Sequence, residues 1–247
     1  MQQKYFNRFE IKYQISLIKK ENIIRQIRPF MELDPFVSNK PYYEVRSIYF
    51  DSPFMKAFFE KTNGIKARVK LRIRYYPDFQ SGEKELVFIE LKKKNNENVS
   101  KNRILVPFKD AFKIIDNKTP TAKDFYKNAS DEDKINLNEI WYLYNRYYLK
   151  PVCVVCYIRQ PYMSKIKNRF RMTFDTNVKV RNFNFDLHID GDGNRYVIPP
   201  NISIMELKFN SFIPNWVIKI MQRNDVIQEK VSKFASGLEH TRSFGLV

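Results

Sequence analysis

The chemistry of this chain is concentrated in rows of charged residues spaced two apart. The densest row lies in Lys66-Ala67-Arg68-Val69-Lys70-Leu71-Arg72-Ile73-Arg74-Tyr75-Tyr76. At the two-residue period of a β-strand, Lys66, Arg68, Lys70, Arg72 and Arg74 share one face, while Ala67, Val69, Leu71, Ile73 and Tyr75 share the other. Same-face neighbours on a strand sit roughly 6.6 Å apart, so each adjacent like-charge pair costs roughly 2 kcal/mol before salt screening. A solvated outer face with counter-ions and a polyanion site are both compatible with one such strand. The other strands bear on the choice. Glu-x-Lys recurs as Glu10-Ile11-Lys12, Glu90-Leu91-Lys92 and Glu206-Leu207-Lys208, each time with carboxylate and ammonium pointing the same way. Taken singly, each is a surface ion pair worth under ~1 kcal/mol. Three of them on faces crowded with arginine resemble a metal-phosphate site, because Mg²⁺ or Mn²⁺ takes carboxylate oxygens and triphosphate takes arginine forks and lysine point charges.

These residues need strands to carry them. Apolar and charged positions alternate through 8–15, 42–51, 66–76, 87–94, 99–106, a stretch opening at Pro151, 168–180 and 202–209. In the segment 168–180, Arg169, Arg171, Thr173, Asp175, Asn177 and Lys179 oppose Phe170, Met172, Phe174, Thr176 and Val178. Tyr157 shares a face with Arg159, and Lys101 with Arg103. Amphipathic helices are expected after the cap Ser16, from Ser52-Pro53 to Asn63-Gly64, across much of 107–150 and from Pro214. A hairpin turn falls at Asp190-Gly191-Asp192-Gly193-Asn194, and the chain closes with a short segment at Glu229 to Phe234. The pattern predicts an α+β fold: a single domain over 1–247 in which an eight-stranded antiparallel β-barrel has helices packed outside, so that the charged faces line a lumen.

The 247 residues carry a net charge of +17, with Lys plus Arg 44 against Asp plus Glu 27, which calls for an anionic partner. Carboxylates on the charged faces count against a nucleic-acid groove, and no nucleic acid is expected. No apolar run approaches the ~20 residues of a membrane span. A soluble, cytoplasmic protein is expected, with peripheral association at a membrane left open. There is no Gly-Lys-Ser/Thr phosphate loop, and His188 and His240 are isolated, so any catalysis is electrostatic rather than histidine-based. Cys153 and Cys156 lie three apart in a strand-like run, so they should face opposite ways as reduced thiols.

In order along the chain, Arg8-Phe9-Glu10-Ile11-Lys12-Tyr13, Ser47-Ile48-Tyr49-Phe50-Asp51, Leu71-Arg72-Ile73-Arg74, Phe88-Ile89-Glu90-Leu91-Lys92, Tyr157-Ile158-Arg159, Arg171-Met172-Thr173-Phe174-Asp175, Met205-Glu206-Leu207-Lys208 and Ser232-Lys233-Phe234 together resemble the VTC domain, the polyphosphate-polymerase branch of the triphosphate tunnel metalloenzymes. The resemblance implies a polymerase that moves the ATP γ-phosphoryl group to a polyphosphate chain, with a tripolyphosphatase, a nucleoside triphosphatase or a non-catalytic polyanion-binding module as alternatives. It implies Arg72, Arg74, Lys92, Arg159, Arg171 and Lys233 as catalytic residues. Lys12, Lys101 and Lys208 would be phosphate contacts, to which the charged faces add Arg68, Lys70, Arg103 and Arg169. A Mn²⁺ or Mg²⁺ ion would sit chiefly on Glu206, with Glu10 and Glu90 as further carboxylates. The family's eukaryotic members add a phosphate-sensing domain and membrane helices. Neither is legible in this sequence, so a separate membrane protein partner is left open.

Overall fold

The computed structural model describes residues 9–37, 40–79, 85–96, 98–166, 170–189, 194–229 and 231–242. The expected Arg169 and the turn at 190–193 lie outside them. Among the described residues there are ten strands: β1 (Phe9–Ser16), β2 (Met31–Leu33), β3 (Tyr43–Asp51), β4 (Ala67–Tyr75), β5 (Leu86–Asn95), β6 (Asn98–Pro107), β7 (Lys150–Ser164), β8 (Arg171–Arg181), β9 (Arg195–Tyr196) and β10 (Ile202–Phe209). The helices are α1 (Leu17–Ile27), α2 (Lys56–Thr62), α3 (Ala111–Ile115), α4 (Pro120–Asn128), α5 (Asp131–Tyr147), α6 (Asn215–Arg223) and α7 (Lys233–Arg242).

Eight strands form one antiparallel path, β1-β10-β8-β7-β3-β4-β5-β6, with β2 added beside β7 and β9 beside β8. The sheet curls until its two end strands, β1 and β6, approach each other. No backbone ladder joins them among the described residues. Instead Lys92 Nζ of β5 lies 2.6 Å from Glu10 Oε2 of β1, so side chains bridge the gap.

The apolar faces are covered in two blocks. Ile48, Leu71, Ile73, Ile89, Leu91 and Ile104 pack with Ile114, Ile115, Leu137 and Ile140 of α3 and α5. Tyr13, Ile15, Met172, Phe174, Met205 and Leu207 pack with Ile23, Ile24 and Ile27 of α1 and Val217, Ile220 and Met221 of α6. Each fully buried side chain of this kind contributes ~1.5–3 kcal/mol, enough to fix which face of every strand looks outward. Ser16 caps α1 as expected, accepting from the Lys19 amide at 3.2 Å.

α7 departs from the expectation that the helices lie outside. Its Phe234, Ala235 and Leu238 pack with Val45, Tyr49, Val155, Tyr157 and Val180, which share the concave face. The helix sits close to the sheet at Gly237, where a Cβ would come 3.0 Å from Val180 Cγ2 and Val180 would have to give by a few tenths of an ångström. α7 and α2 therefore fill one end of the lumen. A second departure lies in β8, whose register with β7 shifts between Cys156 and Ile158, with Asn177 at φ 52. This bulge inverts the alternation after Asp175, sending Val178 and Val180 inward. Lys179 is turned outward, its Nζ 5.0 Å from the ring of Tyr196.

Candidate active site: a cation-lined lumen

The strand period places the expected cations on the concave face, where three carboxylates organise them. Glu90, fully buried, receives Arg72 Nε at 2.7 Å and Nη2 at 2.6 Å on one oxygen and lies 2.9 Å from Lys101 Nζ through the other. Arg72 and Glu90 are directly opposite in the β4–β5 ladder, so backbone register alone brings them together. Burial pushes the Glu90 carboxyl up, but Arg72, Arg74 and Lys101 more than offset it and hold it well below the ordinary range. Tyr49 accepts from Arg72 Nη1 at 3.2 Å. Arg74 donates to Ser47 Oγ at 3.1 Å and to Tyr157 Oη at 3.3 Å.

The second carboxylate is Asp175, absent from the expected site. It is completely buried and accepts a two-pronged pair from Arg159, Nε and Nη2 each at 2.7 Å, plus Lys233 Nζ at 2.6 Å. Burial raises its pKa, yet Arg159 and Lys233 bring it down to about 2. Lys233 is the first residue of α7, so the end-filling helix delivers a cation to the centre of the lumen. The sequence held a signal for this: Asp175 shares the alternating face with Arg171 and Thr173.

The third is Glu206, with Lys208 Nζ at 2.9 Å, Lys12 Nζ at 3.6 Å and Arg159 Nη2 at 3.7 Å. Burial would raise its pKa; Lys208, Lys12, Lys92 and Arg159 keep it far below its ordinary value. Glu10 sits diagonally across the β1–β10 ladder, since Glu10 opposes Lys208 and Lys12 opposes Glu206. Opposite Glu206 on the other side is Thr173, whose buried hydroxyl has no hydrogen-bond partner.

The remaining expected residues spread toward the two ends. Lys70 holds its ammonium 4.2 Å from the ring of Phe234, and burial together with Lys12 and Lys92 pushes its pKa well down. Arg68 bonds the Ile65 carbonyl at the α2 end. Arg171 pairs with Asp34 of the segment after β2, and its buried Nε has no hydrogen-bond partner. Arg103 lies at the other end, its guanidinium 4.9 Å from the ring of Phe88.

The three expected metal carboxylates are not drawn into one cluster. No group of three or more His, Cys, Asp or Glu residues able to hold an ion exists among the described residues. Glu90 is engaged by Arg72 and Lys101, whereas Glu206 and Glu10 share the β1–β10 pair. A donor set of one or two carboxylates suits Mg²⁺ or Mn²⁺, which complete their shells with water and substrate phosphate oxygens. The residues present fit such an ion in their chemistry, and Glu206 with Glu10 would supply its carboxylate oxygens.

A curled antiparallel sheet whose concave face gathers arginine and lysine around a few buried carboxylates is the architecture of a triphosphate tunnel protein. The chain belongs to the VTC domain family, whose model matches residues 7–242. Among solved structures it is similar to a putative adenylyl cyclase from Hippeastrum with a dominant triphosphatase activity, at 13% identity and TM-score 0.52, covering 95% of this chain and 96% of that one. A putative adenylate cyclase from Bacillus halodurans aligns at 12% identity and TM-score 0.48, over 92% of this chain and 95% of that one. At 13% identity the likeness to the Hippeastrum protein is one of fold. No curated protein matches the chain in sequence. Among the described residues, no helix is long and apolar enough to cross a membrane.

Proposed function

We propose that this domain is a metal-dependent polyphosphate polymerase: it transfers the γ-phosphoryl group of ATP to the end of a polyphosphate chain and releases ADP. Membership of the VTC family and the tunnel fold support an enzyme acting on triphosphate-containing substrates. The observation that carries the reading is that Glu90, Asp175 and Glu206 pair with arginine and lysine side chains in the lumen while cations remain in excess over carboxylates. Each guanidinium has five N–H donors, more than the partners named above take up. Phosphoryl transfer needs little covalent help from protein; it needs charge neutralisation and alignment.

In this scheme Arg72, Arg74 and Lys101 bind the oxygens of the transferred phosphoryl group from one wall, and Arg159, Lys208 and Lys233 from the other. Lys12 and Lys92 lie beside Glu206 and Glu10 and hold the adjoining phosphates. The bond between the γ-phosphorus and the β-γ bridging oxygen breaks as a terminal oxygen of the chain bonds that phosphorus, with the electron pair leaving on ADP. A divalent ion on Glu206 would neutralise charge on the phosphates during this exchange.

The test is to incubate the purified domain with ATP and Mn²⁺ or Mg²⁺, resolve products on a gel and assay free phosphate. A ladder of phosphate chains with ADP, lost in Arg72→Ala and Glu206→Ala, is the expected result. Free phosphate without chains would overturn the polymerase assignment in favour of a triphosphatase of the same fold.

A further inference from the structure

Two buried polar atoms of β8 have no hydrogen-bond partner among the described residues: the hydroxyl of Thr173 and Nε of Arg171. The two residues share the charged face of the strand and stand two positions apart, so roughly 6.6 Å separates their Cα atoms. Thr173 is only 2% exposed. A hydroxyl can donate one hydrogen bond and accept two, and burying it with none of them made destabilises a fold relative to a methyl group of the same shape. Valine would suit a strand equally well. The Thr173 hydroxyl therefore costs the free protein stability, and a ligand that supplies the missing bond offsets that cost.

The neighbours of this hydroxyl specify the ligand. Thr173 lies opposite Glu206 in the β10–β8 ladder and opposite Pro161, which brings no polar side-chain atom, in the β7–β8 ladder. Glu206 is already engaged by Lys208 Nζ at 2.9 Å and Lys12 Nζ at 3.6 Å. One pair along the same ladder, Arg171 opposes Lys208. Asp34, buried in the segment after β2, takes Nη2 of Arg171 and leaves Nε. Guanidinium nitrogens only donate, so a ligand that satisfies both idle atoms must be an acceptor, and the lysine beside them calls for a negatively charged one.

We propose that Thr173 is a further phosphate-binding residue of the lumen: its hydroxyl and Arg171 Nε donate to the oxygens of one phosphate group, Lys208 neutralises that group, and Asp34 positions the Arg171 fork for it. The proposal rests on the triphosphate-dependent reading of the lumen given above.

The experiment pairs a thermal melt of the free protein with a calorimetric titration, in Mg²⁺, using ATP that bears an imido bridge between the β and γ phosphorus atoms. Thr173→Val removes the unsatisfied hydroxyl and keeps the shape, so it should melt at or above the wild-type temperature. It should nonetheless bind the analogue at least about tenfold more weakly, the worth of one hydrogen bond to a charged group. Thr173→Ser returns the hydroxyl and should bind within about threefold of wild type. Arg72→Ala reports on the lumen as a whole and should lose most of the binding. Unchanged affinity in Thr173→Val beside a loss in Arg72→Ala would overturn the role of Thr173 and leave the phosphate chemistry of the lumen intact. Equal losses in Thr173→Val and Thr173→Ser, or a lower melting temperature in Thr173→Val, would make Thr173 a packing residue and overturn the proposal as well. If wild type bound no analogue, the proposed function would fall and the role of Thr173 with it.

Discussion

Asp175→Asn is the sharpest probe of how the lumen is held together. The wild-type carboxylate has no exposure and neutralises Arg159 and Lys233 at 2.6–2.7 Å. The amide keeps the shape and removes the charge, leaving two buried cations facing each other. Breaking a buried pair from one side costs about 3–5 kcal/mol, because the orphaned charge has nowhere to go. Arg159 can lean on Glu206, 3.7 Å away, which favours the lower end. For a chain of this size each kcal/mol moves the melting temperature by about 2–4 °C, so a fall of about 6–20 °C is expected in a thermal melt. Adding Lys233→Met removes one of the stranded cations and should return part of that loss, with a coupling of at least about 1 kcal/mol in the double-mutant cycle. The acid limb gives a second check. Asp175 is depressed from 3.8 to about 2, so it stabilises the fold above about pH 4, by roughly 2–3 kcal/mol, and loses that as pH falls toward 2. The gap in stability between wild type and variant should narrow over that window. A melting temperature within about 2 °C of wild type at neutral pH, or simple additivity with Lys233→Met, would refute the view that Asp175 is the counter-charge of this wall.

Four other outcomes follow from the same geometry. Arg72→Lys keeps the charge but loses the planar fork that grips Glu90 and Tyr49, so turnover of ATP should drop at least about tenfold in a steady-state assay, a conservative change with a non-conservative result. Cys153 and Cys156 are buried thiols, and burial pushes the Cys153 thiol well up, so a chromogenic disulfide reagent should titrate neither in the native protein and both in denaturant. Gly237→Ala forces a methyl against the buried Val180 and should destabilise by about 1–3 kcal/mol, measured by chemical denaturation, with Val180→Ala restoring part of the loss. His188 lies 2.5 Å from Glu85 and 3.0 Å from Asp186; burial opposes its charge, but these carboxylates raise its pKa above the ordinary value. The clamp is therefore at full strength below pH 6.5 and weakens as pH rises through the raised pKa, which an NMR titration of the ring protons should show as a midpoint above 6.5.

Much of this design was legible because alternation is a local property. Arg72 and Arg74 had to share a face with Lys70, whatever the neighbours of β4 turned out to be. Helices α1, α5 and α6 followed from apolar residues at 3.6-residue spacing. α7 stayed hidden because Ser236 and Gly237 dilute its stripe, even though Phe234, Ala235, Leu238 and Thr241 recur at helical spacing. The bulge at Asn177 was equally hidden: one residue in the left-handed region flips every later side chain of β8, and nothing in an alternating string marks where that happens.

The Glu-x-Lys motifs show what lies beyond a one-dimensional reading. Residues two apart on a strand are farther from each other than residues directly opposite on neighbouring strands, so the charges re-pair across the sheet. Glu10 binds Lys92 rather than Lys12; Lys12 approaches Glu206; Glu90 leaves Lys92 for Arg72 and Lys101; only Glu206 keeps the lysine of its own motif. The three motifs thus form an interlocked set running from β10 through β1 to β5. The Glu10–Lys92 link in that set crosses, from β5 to β1, the seam between the end strands β1 and β6 that no backbone ladder closes among the described residues.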